Sequence, residues 1–267
     1  MGWTDAYQYL RAGAARLGGN EAPRRADDDL PLRARIGSLV SMQQSTLIRA
    51  SGEGSLVTLP APGDIRILAV SQLKLNQSGG LFRYYLDKGD VDADEKFLQV
   101  YQTPQGEVAE ILYCTQLARV IPETAEDQEA YMGAAGYGLG DRSYTLSRAQ
   151  LEANGMDPAD LDLVFGQQDG IAQDSLDYWR DAGNPDTAFI APFRGTEVRL
   201  DDAGGRQGLR QDMYFMPYAR QLPSGGKEYL LITTEIIHSV NGDAGKRGIH
   251  VDFVIGIPVE QERVVIQ

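Results

Sequence analysis

Four side chains near the C-terminus are of the types that ligate metals or move protons: Glu235, His238, His250 and Asp252. The chain has only two histidines, and they flank the turn-like run "SVNGDAGKRG". If the flanking segments form a hairpin, side-chain alternation fixes the face each residue occupies. The apolar series of the last segment is odd, Ile249 to Ile257, so His250 points away from it. In the preceding segment the apolar series is even, Leu230, Ile232 and Ile236, and His238 belongs to it. Matching apolar face to apolar face puts the two imidazoles on opposite sides of the sheet. His250 then shares a polar face with Glu235 and Asp252. That trio could bind a divalent cation, but one imidazole and two carboxylates are too few to identify a metal. A solvated polar face is the simpler account, and we expect no cofactor.

The stretch "LFRYYLDKGD" is the other candidate. In an extended strand Phe82 and Tyr84 share one face and Arg83 and Tyr85 the other. The Arg83 guanidinium is then well placed for stacking or a cation–π contact with Tyr85. The reading is a two-faced strand in which Arg83 pairs with a carboxylate from a neighbour, followed by a turn at Asp87 to Asp90. A binding role for Arg83 and Tyr85 is the alternative.

Other chemistry finds less support. Cys114, the single cysteine, lies in the apolar run "VAEILYCTQL", where a buried structural thiol is expected. No Gly-x-Ser-x-Gly elbow is present, and two histidines on different faces leave a catalytic triad few options. Gly136-x-Gly138-x-Gly140 lacks the spacing and the strand–helix context of a phosphate loop, so a tight connection is expected. Asp157 is followed by Pro158 and Ala159, which breaks a calcium-loop pattern. Paired carboxylates are plentiful, and sequence spacing alone cannot choose two.

The elements that must position these residues read mainly as strands. Arg35 to Met42, Ser45 to Arg49, Ser55 to Leu59 and "DIRILAVSQLKL" come first, then "LFRYYL", "KFLQVYQ" and "VAEILYCTQLARVI". Helices are expected from Thr124 to Met132 and from Ser147 to Asn154. The second opens on the capping box "SRAQ" and is closed by Gly155. Residues 156–186 read as loops with one short helix near Ser175 to Arg180. Strands return at Thr196 to Leu200, Leu209 to Arg220, Tyr229 to Val240 and Gly248 to Pro258. Strands, then helices, then strands predict an α+β fold: mostly antiparallel β-sheets, a sandwich or partly open barrel, with a few short helices.

Ahead of this β-rich domain (31–267, with a sub-domain split near 122–195) lies a helix and linker over residues 1–30. Trp3, Tyr7, Leu10, Ala14 and Leu17 form a two-heptad apolar stripe suited to docking on this domain or on a partner helix. The N-terminus lacks the pattern of a signal peptide, and no apolar run is long enough to span a membrane. A net charge of −13 makes nucleic acid a poor partner. Contact with a membrane surface would have to come through a partner or through the N-terminal segment, whose basic residues include Arg11, Arg16, Arg24 and Arg25. A reducing cytoplasm suits this composition.

Three segments together, "LFRYYLDKGD…EKFLQVYQTPQGEVAEILY", "GLRQDMYFMPYARQL" and "EYLLITTE…GIHVDFVIGIPVE", resemble the YjfK-like family of uncharacterised bacterial proteins, over roughly residues 32–267. The most specific element is Arg-Tyr-Tyr, an acidic stretch, then Leu98-Gln99-Val100. The acidic stretch is longer here than in the family. The resemblance implies no catalytic residues. It implies genes neighbouring those of a phage-shock-type coiled-coil protein and small membrane proteins, hence an accessory role in envelope stress or membrane remodelling. The expectation is a non-enzymatic binding or adaptor protein with a protein partner. The competing expectation is a small-molecule hydrolase using carboxylates in a β-lined cleft, which a deep pocket with converging carboxylates would favour.

Overall fold

A computed structural model describes residues 25–76, 79–90, 94–165, 167–168, 171–237 and 248–267. Trp3, Tyr7, Leu10, the rest of the N-terminal helix, and His238 lie outside the described residues. The first half contains β1 (Leu39–Met42), α1 (Ser45–Gly52), β2 (Ile65–Leu75), β3 (Gly80–Leu86), β4 (Lys96–Gln102) and β5 (Val108–Val120). Then come α2 (Ala125–Met132), β6 (Ser143–Ser147), α3 (Arg148–Ala153), α4 (Pro158–Phe165), the short pair β7 (Gln167–Gln168) and β8 (Ile171–Ala172), and β9 (Ser175–Arg180). The chain ends with β10 (Phe193–Leu200), β11 (Gly208–Gln221), β12 (Lys227–Ile237), β13 (Gly248–Pro258) and β14 (Val264–Ile266).

All the pairings are antiparallel, and eight of the strands close on themselves. The ring runs β2-β3-β4-β5-β13-β12-β11-β10 and returns to β2. The expected mostly antiparallel fold with few helices is present; the barrel, however, is closed rather than partly open. The closing seam is β10 against β2, from Gly195 opposite Leu75 to Leu200 opposite Val70. A Cβ on Gly195 would lie 2.0 Å from the Lys74 carbonyl oxygen, so only glycine lets the seam come this close. Beyond the ring, β1 and β14 extend from β2, and β9 and β6 extend from β11. Pro217 stands on β11 between its last pairing to β10, at Phe215, and its first to β9, at Tyr218. A missing N–H is tolerated where the neighbouring strand changes.

The polarity of the barrel decides the rest. Phe82, Tyr84, Leu98, Val100, Ile111, Tyr113, Leu230, Ile232, Phe253 and Ile255 point outward into the main hydrophobic core. The segments wrapped round the barrel complete that core with Leu47 and Ala50 of α1, Leu151 of α3, Leu161 and Phe165 of α4, and Leu176 and Tyr178 of β9. The largest apolar cluster therefore lies outside the barrel wall. The apolar series read from the sequence is indeed the core face. The polar series faces the lumen, where water was expected.

One buried carboxylate ties the wrapping to the wall. Glu228 of β12 is 0% exposed. It accepts hydrogen bonds from the Leu56 N–H at 2.9 Å, the Tyr178 hydroxyl at 2.6 Å and Arg220 Nε at 2.6 Å. Asp27 is likewise buried and accepts from the Ile36 N–H at 2.7 Å.

The sequence expectations fail at three places. Residues 45–49 form helix α1, because Leu47 and Ala50 bury at helical spacing while Ile48 stays 55% exposed. Ser55 to Leu59 pairs with no strand; Glu228 holds its backbone instead. Ser175 to Arg180 is strand β9, with Leu176, Tyr178 and Arg180 buried alternately, and the helix of this region is α4. The predicted capping box of Ser147 and Gln150 is present and Gly155 has φ +90°; Thr124 also caps α2, its side chain accepting from the Asp127 N–H.

Candidate site in the charged end of the barrel

The alternation that sends Phe82 and Tyr84 outward turns Arg83 and Tyr85 inward. At one end of the lumen they meet Glu197 and Arg199 from β10, Gln211 from β11, Glu235 from β12, Asp252 from β13, and Gln116 and Arg119 from β5. These side chains line a cavity of ≈ 100 Å³. The parity argument correctly placed Glu235, His250 and Asp252 on one face: His250 is directly opposite Glu235, and Asp252 is opposite Thr233. That face is the barrel interior, not the solvated surface expected. Glu235 and Asp252 are both buried.

Arg83 is the centre of the cluster. Its Nε donates to Gln99 Oε1 at 3.2 Å and its Nη2 to Thr233 Oγ1 at 3.2 Å. Its Nη1 is 3.7 Å from Glu197 and 3.9 Å from Glu235. The guanidinium carbon is 5.2 Å from the centre of the Phe97 ring, so Arg83 makes its cation–π contact to Phe97 rather than to Tyr85 as expected. Tyr85 instead carries Arg199 on its ring at 4.0 Å and donates its hydroxyl to Glu197 Oε1 at 2.9 Å.

The three lumen carboxylates differ in their partners. Burial alone would raise the Glu197 pKa, but Arg83 and the hydrogen bonds from Gln211 and Tyr85 outweigh it and hold Glu197 ionised. Asp252 is gripped by Arg119 through two bonds of 2.6 Å and accepts from Gln116 at 3.1 Å. Glu235 stands farther from its cations, 3.9 Å from Arg83 and 3.7 Å from Arg119. Burial, reinforced by the negative charges of Asp252 and Glu197, pushes its carboxyl up to about 8. A neutral Glu235 can donate a proton as well as accept a hydrogen bond.

No protein-family profile, curated protein or solved structure matches the chain. What the site can do is therefore argued from its own side chains. Among the described residues no group of three or more His, Cys, Asp or Glu side chains is placed to hold a metal ion. Asp252 is already bound by Arg119, and the buried Nδ1 of His250 makes no hydrogen bond to a described residue. Cys114 is buried in the lumen wall, where burial raises its pKa and keeps it a thiol. The Gly136–Gly140 run is a tight connection: the Gly140 N–H donates to the Tyr218 hydroxyl and the Gly138 N–H to Asp141. No described helix is long and apolar enough to cross a membrane.

Glu197, Arg199 and Arg119 were missed in the sequence because their partners lie far away along the chain. The signal that existed was a charged residue inside an alternating strand. Arg83, Glu197 and Glu235 each occupy such a position.

Proposed function

We propose that this chain is a non-enzymatic binding protein whose charged lumen takes a small, compact polar solute of no net charge. The observation that carries this is the balance of the cavity lining. With Glu235 protonated, the cations of Arg83, Arg119 and Arg199 stand against the anions of Glu95, Glu197 and Asp252. A net anion or cation would unbalance such a pocket, because an uncompensated charge beside buried groups is costly. A zwitterion offers each wall its opposite charge, and a cavity of ≈ 100 Å³ suits one of glycine's size. Equilibrium dialysis with labelled glycine, acetate and methylammonium tests this. Glycine should be retained above both ions, and Arg119→Gln should lower its retention. Equal retention of acetate, or of none of the three, contradicts it.

The resemblance to the YjfK-like family supports placing this binding event in the cytoplasm, next to a coiled-coil protein partner of an envelope-stress or membrane-remodelling system. The hydrolase is a second reading, favoured by one observation: Glu235 is a carboxyl poised near 8 beside two guanidiniums, as a general base would be. Glu235→Gln separates the two. It mimics the neutral acid, so binding should persist, whereas any hydrolysis would be lost.

A further inference from the structure

The opposite mouth of the barrel has different chemistry. It contains a cavity of ≈ 270 Å³ whose walls are apolar: Leu81, Leu112, Phe193, Phe215, Pro217 and Leu231. Benzene fits an engineered protein cavity of about 150 Å³, so this one has room for a single aromatic ring and a short tail. The Phe193 and Phe215 rings stand 6.5 Å apart, centre to centre.

The rim is acidic and only partly neutralised. Glu110 and Asp181 both line the cavity. Lys227 is committed to Asp181 at 3.0 Å and donates to the Tyr229 hydroxyl at 3.3 Å. The Tyr229 hydroxyl in turn donates to Glu110 Oε1 at 3.2 Å. One lysine thus serves two carboxylates, and Glu110 receives its hydrogen bond from a neutral phenol. Burial raises the Glu110 pKa, as expected for a carboxylate short of cations.

We infer that this mouth binds a small organic cation, its ammonium group against Glu110 and its aromatic or alkyl body between Phe193, Phe215 and Leu231. The ligand supplies the positive charge that the rim lacks. Its body fills the space between these apolar side chains. The site shares no carboxylate with the charged end; Gln99, which lines this cavity and accepts from Arg83, stands between the two.

Phenethylamine is the probe, with phenethyl alcohol as its neutral counterpart and hydrocinnamate as its anionic one. Titrations followed by NMR should show the amine binding about tenfold or more tighter than the alcohol, and hydrocinnamate weakest. Glu110→Gln should bring the amine down to the affinity of the alcohol. Ala182→Phe, at a cavity-lining position just after β9, should block amine and alcohol alike. The inference is overturned if the amine fails to bind, if the alcohol or hydrocinnamate binds as tightly, if Glu110→Gln leaves the amine unaffected, or if Ala182→Phe still binds it.

Discussion

Arg83 and Glu235 face each other at 3.9 Å inside the lumen, from strands on opposite walls of the ring. Barrel closure, not sequence proximity, makes this pair. Burial and the charges of Asp252 and Glu197 raise the Glu235 pKa against the pull of Arg83, and this sets a pH dependence. Below the ordinary carboxyl pKa of 4.5, Glu235 is protonated whether the chain is folded or not. Between there and about 8 the unfolded chain has lost the proton that the folded chain keeps. The folded state then binds more protons, so stability falls as pH rises through this window and levels off above it. Glu235→Gln should remove this slope and be the more stable protein at the alkaline end. Urea midpoints measured across the window for both proteins check this; parallel curves would count against it.

Arg83 is the only cation that Glu197 meets within ion-pair distance among the described residues. Arg83→Met should therefore strand a buried carboxylate and cost roughly 3–5 kcal/mol. Adding Glu197→Gln should restore much of that loss, because both charges are then gone. The double-mutant cycle in urea measures the coupling. Additive losses would mean that the pair is not coupled.

Glu228 has the same character in the outer core, with different consequences. Glu228→Ala leaves Arg220 Nε, the Tyr178 hydroxyl and the Leu56 N–H without their acceptor, while Arg220 Nη2 keeps the Gly54 carbonyl. A loss of roughly 3–5 kcal/mol is expected. Tyr178 is on β9 and Leu56 follows α1, so amide exchange should rise in those wrapping segments before it rises in the barrel.

Gly195→Val places side-chain atoms against the backbone of β2 at the closing seam. The variant should open β10 from β2 while leaving β3, β4 and β5 paired. Hydrogen exchange resolved by strand checks this, with fast exchange predicted for the β10 and β2 amides. Protection equal to the parent chain would show that the seam tolerates a side chain.

Much of this barrel was legible in the chain. Alternation in β12 and β13 placed Ile249 to Ile257 on the core and grouped Glu235, His250 and Asp252, because a period of two survives any arrangement of the sheet. It could not say which face was inside. In an ordinary sheet the polar face meets water, whereas closure here turns it into a lumen. The bulge between Ile67 and Ala69 was equally hidden: Ile65 and Ile67 join the outer core, but Ala69 joins the lumen. The strand expected at Ser45 failed for a local reason. Thr46 and Ile48 favour a strand by type, yet the burial of Leu47 and Ala50 follows the helix. Glu197 was invisible because its partners Arg83 and Tyr85 lie more than a hundred residues away in the chain.

The central claim is that charge is enclosed within the barrel as a binding site, with Glu235 as its proton-carrying group. Carbon-13 titration of the Glu235 carboxyl, alone and with glycine, tests it most directly. The predicted result is a midpoint near 8 in the free protein that moves when glycine is added. A midpoint in the ordinary carboxylate range, unmoved by glycine, would contradict it.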